Sequence, residues 1–273
     1  MTESPDGVWL VPEKSPKAAM LVLSGSSGRI ATERAELLAA HGVAACAPRW
    51  FGGPGRPPGI RELPIESFTP FLDRLADISP RLGVIGLSKG AEAALLLATR
   101  DPRLDVVVAL APTHVVWASV GAGTAAPDRS SWTADGTPLP FVPYDNDWSP
   151  ESDERPIAYR GMYARSLRTF ADRVPAATIP VERIRGEVLL AAGEDDQVWP
   201  AAAFAEHIVR RRIEHGLPTT FVSHPHAGHR PTLPGEAMVV GGQPLARGGT
   251  PVADAELGAL IWAELAAVLD LDT

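Results

Sequence analysis

The chain has 273 residues and one cysteine, Cys46, so an intramolecular disulfide is excluded. It also lacks a surplus of positive charge: 25 Lys and Arg stand against 33 Asp and Glu, a net charge of −8. That balance gives no support for a nucleic acid or an acidic membrane as partner. Locally basic "VRRRIEHG" reads as the solvated face of a helix. No apolar run is long enough to span a bilayer. The first residues, "MTESPDG", have neither the basic nor the apolar region of a signal peptide, so the expected location is the cytoplasm. What remains is ordinary globular material, 45% hydrophobic and 21% charged, with ample residues for a core.

Patterning then supplies the layout. "AAMLVLSG", "VAACAP", "RLGVIG", "LDVVVALAP" and "EVLLAAG" are short, nearly continuous apolar runs, the pattern of strands covered on both faces. Cys46 lies in the second of these and is expected to be packing. "GVWL" and "TTFVSHP" add strands near the two ends. Helices alternate with them. One begins at "ATERAELLAAHG", with Thr32 as its cap and Gly42 as its stop. Another carries Phe68, Phe71, Leu72, Leu75 and Ile78 at helical spacing. Others run from Ser88 to Arg100 and from Pro200 to His215. The last presents Leu257, Leu260, Ile261, Leu265, Val268 and Leu269. Alternation of this kind predicts an α/β fold, a mostly parallel central sheet with helices on both faces. Residues from about 113 to 180 break the rhythm and are read as a lid-like insertion in one domain spanning 1–273.

Chemistry concentrates at "GLSKG", residues 86–90, which matches G-x-S-x-G between a predicted strand and a predicted helix. That setting is what a nucleophile elbow requires, and Ser88 is the expected nucleophile. A serine hydroxyl needs a base, and the base needs an orienting carboxylate, following in the chain order Ser, Asp, His. "EVLLAAGEDDQVWP" brings two aspartates to a strand end; the spacing from Gly193 favours Asp196, with Asp195 as the alternative. "SHPHAGHRP" offers His224, His226 and His229, and His229 stands in the best loop position for the base. Three histidines raise the question of zinc, but no partner ligands have the spacing, so neither metal nor cofactor is expected. Oxyanion donors are expected from the Lys89 backbone N–H and from Ser26, with Ser27 beside it, in the glycine-containing "SGSSGR". The Lys89 side chain is expected to be solvated and Glu92 to favour the helix N-terminus. His114, Trp117, Trp132 and Tyr144 are candidates for a substrate pocket, rigid aromatic area being the reason; stapling the insertion to the body is the other reading.

Ser-Lys-Gly followed by a small residue and Glu, in "GVIGLSKGAEAALLLA", resembles the nucleophile segment of the acyl-CoA thioesterases and bile acid-CoA:amino acid N-acyltransferases. "SSWTADGTPLPFVPYD", "VERIRGEVLLAAGEDDQVWP", "AGHRP" and "GGQPLARGGTPVADAELGALIW" extend the likeness from about residue 18 to the C-terminus. The resemblance implies an α/β-hydrolase fold, with nucleophile Ser88, acid Asp196 and base His229. It associates serine at the elbow with hydrolysis and cysteine with the acyltransferase branch. Better-known members carry an N-terminal β-sandwich, so the expectation here is a stand-alone catalytic domain. Arg29, Arg56 and Arg61 lie in loops that could reach a CoA phosphate.

The expected function is serine hydrolysis of a small acyl thioester. The alternatives are an ester or lactone hydrolase like the dienelactone hydrolases, an acyltransferase or cyclising enzyme, and a non-catalytic scaffold. The sequence leaves the oligomeric state open.

Overall fold

A computed structural model describes residues 2–4, 7–120, 129–150, 155–237 and 243–271. Parts of the expected insertion, at 121–128 and 151–154, therefore lie outside the described residues. In chain order the elements are β1 (Thr2–Ser4), β2 (Gly7–Leu10), β3 (Ala18–Leu23), α1 (Thr32–Ala40), β4 (Val43–Pro48), β5 (Leu63–Pro64), α2 (Thr69–Ala76), β6 (Leu82–Leu87) and α3 (Lys89–Ala98). There follow β7 (Leu104–Leu110), β8 (Trp132–Ala134), β9 (Thr137–Pro138), α4 (Arg160–Thr169), α5 (Val174–Ala177), β10 (Glu187–Gly193), α6 (Ala201–Glu214), β11 (Thr220–His224) and α7 (Pro251–Leu269).

Eight strands form one sheet in the order β1-β2-β4-β3-β6-β7-β10-β11. β1 and β2 are antiparallel, as are β2 and β4; from β4 onward every neighbouring pair is parallel. The apolar runs serve two cores at once because side chains alternate along a strand. In β3, Ala19, Leu21 and Leu23 join the core under α2, α3 and α6, while Ala18, Met20 and Val22 join the one under α1 and α7. Cys46 is packed in β4, where burial pushes its thiol up to about 12 and leaves it unionised.

Local details depart from the pattern in three places. Ala31 occupies the cap position of α1 and Thr32 is its first residue, so no side chain caps that helix. Leu260 of α7 is exposed, since at roughly 100° per residue it falls at the rim of the stripe that buries Leu257, Ile261 and Leu265. A second, small sheet, β5-β8-β9, joins the irregular regions on either side of α3. Among the described residues no helix is long and apolar enough to cross a membrane.

Parallel order puts the carboxyl ends of β3, β6, β10 and β11 along one edge. The loops after them carry 24–31, Ser88, 194–200 and 225–234. A parallel α/β sheet gathers its chemistry at this edge.

Candidate active site

Ser88 sits between β6 and α3 with φ 59° and ψ −119°, a region few non-glycine residues occupy. Holding it there costs on the order of 1–3 kcal/mol and requires a frame that dictates the turn. The Ser88 N–H donates to the Leu110 carbonyl at 2.9 Å, and its own carbonyl accepts from the Ala91 and Glu92 N–H groups. The flanking glycines have a steric cause. A Cβ on Gly86 would stand 2.1 Å from the Gly90 carbonyl oxygen, and one on Gly90 2.4 Å from that of Ser24. Only bare backbone lets α3 start against both β6 and the end of β3. The turn thereby presents the serine at a helix N-terminus, where developing negative charge is favoured.

The other side chains come from the loops after β10 and β11. Asp196 is fully buried, and its Oδ1 accepts from the Val198 and Trp199 N–H groups at 2.8 and 3.2 Å. Its Oδ2 lies 2.7 Å from Nδ1 of His229. A carboxylate can only accept, so Nδ1 carries the proton and Nε2 is the ring's basic nitrogen. Arg160 fastens the acid loop by donating to the Glu194 and Asp196 carbonyls, and Trp199 meets the imidazole edge-on. Asp195 faces elsewhere: its carboxylate accepts from the Gly249 N–H and the Gln197 amide.

Ser88 and His229 line one cavity of about 320 Å³. Ser26 and Ser27 line it too, and Gly25 lies so close that a Cβ there would be 3.3 Å from Cβ of Ser88. Ser26 is held by its carbonyl, which accepts from the Gln243 amide. Lys89 is the first residue of α3, so its N–H has no helical carbonyl available to it. Arg29, Arg34, Arg230, Arg247 and the start of α7 also line it; of these the sequence pattern singled out Arg29 alone. Arg56 and Arg61 are not among the lining residues.

The four pocket candidates from the insertion do not line this cavity. Trp117 is buried edge-on to Tyr163 at 4.8 Å, and Trp132 is stacked on Trp50 at 5.6 Å. Tyr144 bonds the Ala118 carbonyl, and His114 is stacked on His207. Aromatic rings with so many ring partners gain more by packing than by facing a water-filled space.

Lys89 and Glu92 also depart from expectation, because both side chains are buried. Their charges meet at 2.5 Å. The Lys89 ammonium donates further to Ser131, and Glu92 Oε1 accepts from the Trp117 backbone and the Trp132 indole. Burial pushes the ammonium below its usual value and the carboxyl above, and each partner's charge pulls back. The clue in the sequence is that Glu92 lies inside "GAEAALLLA", where every neighbour is apolar and no water-facing side of the helix exists. His224 pairs with Glu256, and among the described residues no three metal-ligating side chains converge.

Three comparisons bear on this geometry. The family model for "BAAT / Acyl-CoA thioester hydrolase C terminal" matches residues 66–270. Acyl-coenzyme A amino acid N-acyltransferase 2 of Rattus norvegicus is 28% identical, over 94% of this chain and 61% of its own length. Acyl-coenzyme A thioesterase 1 of Homo sapiens is 24% identical, with the same two coverages, 94% and 61%. The chain thus spans about three fifths of these curated relatives. A monoacylglycerol lipase of Paleococcus ferrophilus shares the fold at TM-score 0.51 and 17% identity, covering 97% of this chain and 98% of that one.

Proposed function

From the premise that the chain belongs to the BAAT / acyl-CoA thioester hydrolase C-terminal family, we propose that it hydrolyses acyl thioesters through a Ser88–His229–Asp196 triad. The observation that carries this is the 2.7 Å contact of His229 with a fully buried Asp196, beside a cavity into which the strained Ser88 also opens. With Nδ1–H committed to Asp196, Nε2 takes the Ser88 proton as Oγ attacks the acyl carbonyl. The Lys89 N–H and the 24–27 backbone, with Ser26 foremost, hold the oxyanion. The imidazolium returns its proton to the departing thiolate. Water, deprotonated by the same nitrogen, then releases the acid from Ser88. The site residues, the single-domain reading and the preference for hydrolysis over transfer all belong to this proposal. No metal or cofactor enters it.

Free thiol release from a panel of acyl-CoAs tests it. Ser88→Ala is expected to lower kcat by about 10⁴- to 10⁶-fold while leaving the fold intact. Undiminished turnover in pure Ser88→Ala protein would refute the triad. Acceleration by an added amino acid, with amide as product, would move the chain to acyl transfer. Cleavage of p-nitrophenyl esters with inert acyl-CoAs would make it an esterase.

A further inference from the structure

One short segment, 243–249, touches the loops after β3, β10 and β11. The Arg247 carbonyl accepts the His229 N–H at 2.9 Å and the Gln197 N–H at 3.3 Å, on the base and acid loops. Gly249 donates its N–H to the Asp195 carboxylate at 2.8 Å. A Cβ on Gly248 would stand 1.7 Å from the Asp195 carbonyl oxygen, so the two backbones lie in direct contact. At the other end of the segment, the Gln243 amide donates to the Ser26 carbonyl at 3.1 Å. The Gln243 carbonyl accepts from the Leu245 N–H at 2.9 Å and the Arg247 guanidinium at 2.8 Å, which ties the two ends together. We propose that Gln243 is a positioning residue: from a segment anchored on the acid and base loops it fixes the Ser26–Ser27 peptide, and so aligns the oxyanion donors with the triad. This deepens the hydrolase reading and rests on it.

The other hydrogen bonds of the loop flank that peptide. The Ser24 hydroxyl donates to the Arg29 carbonyl at 2.6 Å, and the Arg49 guanidinium to the Gly28 carbonyl at 2.9 Å. Among the described residues the Ser26 and Ser27 N–H groups have no protein acceptor, which leaves them to a ligand oxygen. A trans peptide points its carbonyl and its N–H in opposite directions, so a bond to the Ser26 carbonyl also sets where the Ser27 N–H points. Freed, the plane can turn and offer the cavity an acceptor, which repels an oxyanion where donors stabilise it. Ser26, Ser27, Gln243 and Ser88 line the same cavity, so the bond acts beside the reacting atoms. A carbonyl only accepts, and Gln243 therefore presents its NH2 group there. Glutamate at this position would keep the shape and set an acceptor against an acceptor.

The test measures thiol release from an acyl-CoA together with inhibition by a trifluoromethyl ketone of the same acyl length. Ser88 Oγ adds to the carbonyl carbon of that ketone, its proton passes to His229, and the carbonyl oxygen becomes an oxyanion with no group leaving. Gln243→Leu and Gln243→Glu are expected to lower kcat by about ten- to a thousand-fold, the upper end being an oxyanion donor lost outright. Affinity for the ketone should weaken by a similar factor. KM should stay within about twofold, since ground-state binding is not what Gln243 serves. A rise in KM at unchanged kcat would make Gln243 a substrate contact and overturn the proposal. So would unchanged kcat in both variants, or a lowered kcat with full affinity for the ketone. If wild-type protein neither releases thiol nor binds the ketone, the hydrolase reading falls, and crystal structures of wild type and Gln243→Leu decide the positioning role alone. A Ser26 carbonyl turned away from residue 243 in the variant would uphold that role; an unmoved Ser26–Ser27 peptide would sink it.

Discussion

Ser88 stands between two walls built on opposite principles. On the insertion side, Glu92, Lys89, Trp117 and Trp132 make a dry interface in which both charges are neutralised by protein partners. On the histidine side, glycine-containing loops and arginines face an open cavity. Apolar aromatics thus fill space outside the cavity, while charged side chains line it. In this molecule, aromatic content marks the packed wall beside Ser88, and cationic content marks the wall that lines the cavity.

The largest effect should come from breaking the dry wall. Glu92→Ala leaves the Lys89 ammonium and two N–H donors buried without their acceptor, at an expected cost of about 3–5 kcal/mol in denaturant unfolding. The double replacement Lys89→Met, Glu92→Leu should recover only the part of that loss due to the unpaired ammonium, because the Trp117 and Trp132 N–H donors still lack their acceptor. A cost below about 1 kcal/mol for Glu92→Ala would show that the pair is not what joins the insertion to α3.

Period and punctuation made the sheet, its helices and the elbow legible, since each apolar run is long enough to declare its burial alone. Glu92 was harder to read: the first-turn preference for acids explains it equally well until its all-apolar surroundings are weighed. The tryptophans misled because a large ring is as useful in a core as in a pocket, and sequence gives no account of its ring partners. Arg230 and Arg247 could not be found at all by local pattern. They meet only because the loop after β11 and the segment before α7 are brought together, as in the bond from the His229 N–H to the Arg247 carbonyl.

A smaller effect separates the walls by acid. His114 is packed on the dry side between His207 and Phe204, and burial, His207 and Arg210 hold it down at about 3. Its folded value lies below the unfolded value of about 6.5, so its contribution is complete above pH 6.5 and is lost as pH falls toward 3. Between pH 7 and pH 5 that linkage amounts to about 2 kcal/mol of lost stability. Unfolding curves at the two pH values should show it, and His114→Gln should remove that part of the slope. An unchanged slope in the variant would place the acid sensitivity elsewhere.

The smallest effect is the sharpest check on the comparison. Tyr144 stacks on Trp117, meets Tyr163 edge-on and gives its hydroxyl to the Ala118 carbonyl at 3.0 Å. Tyr144→Phe keeps the ring and removes the hydroxyl's bond to the Ala118 carbonyl, so stability should fall by about 0.5–1.5 kcal/mol. KM for acyl-CoAs of every chain length should stay within about twofold of wild type, because Tyr144 lies outside the cavity that Ser88 lines. A rise in KM that grew with chain length would mean that acyl chains reach the aromatic cluster, and that the dry wall opens to admit them.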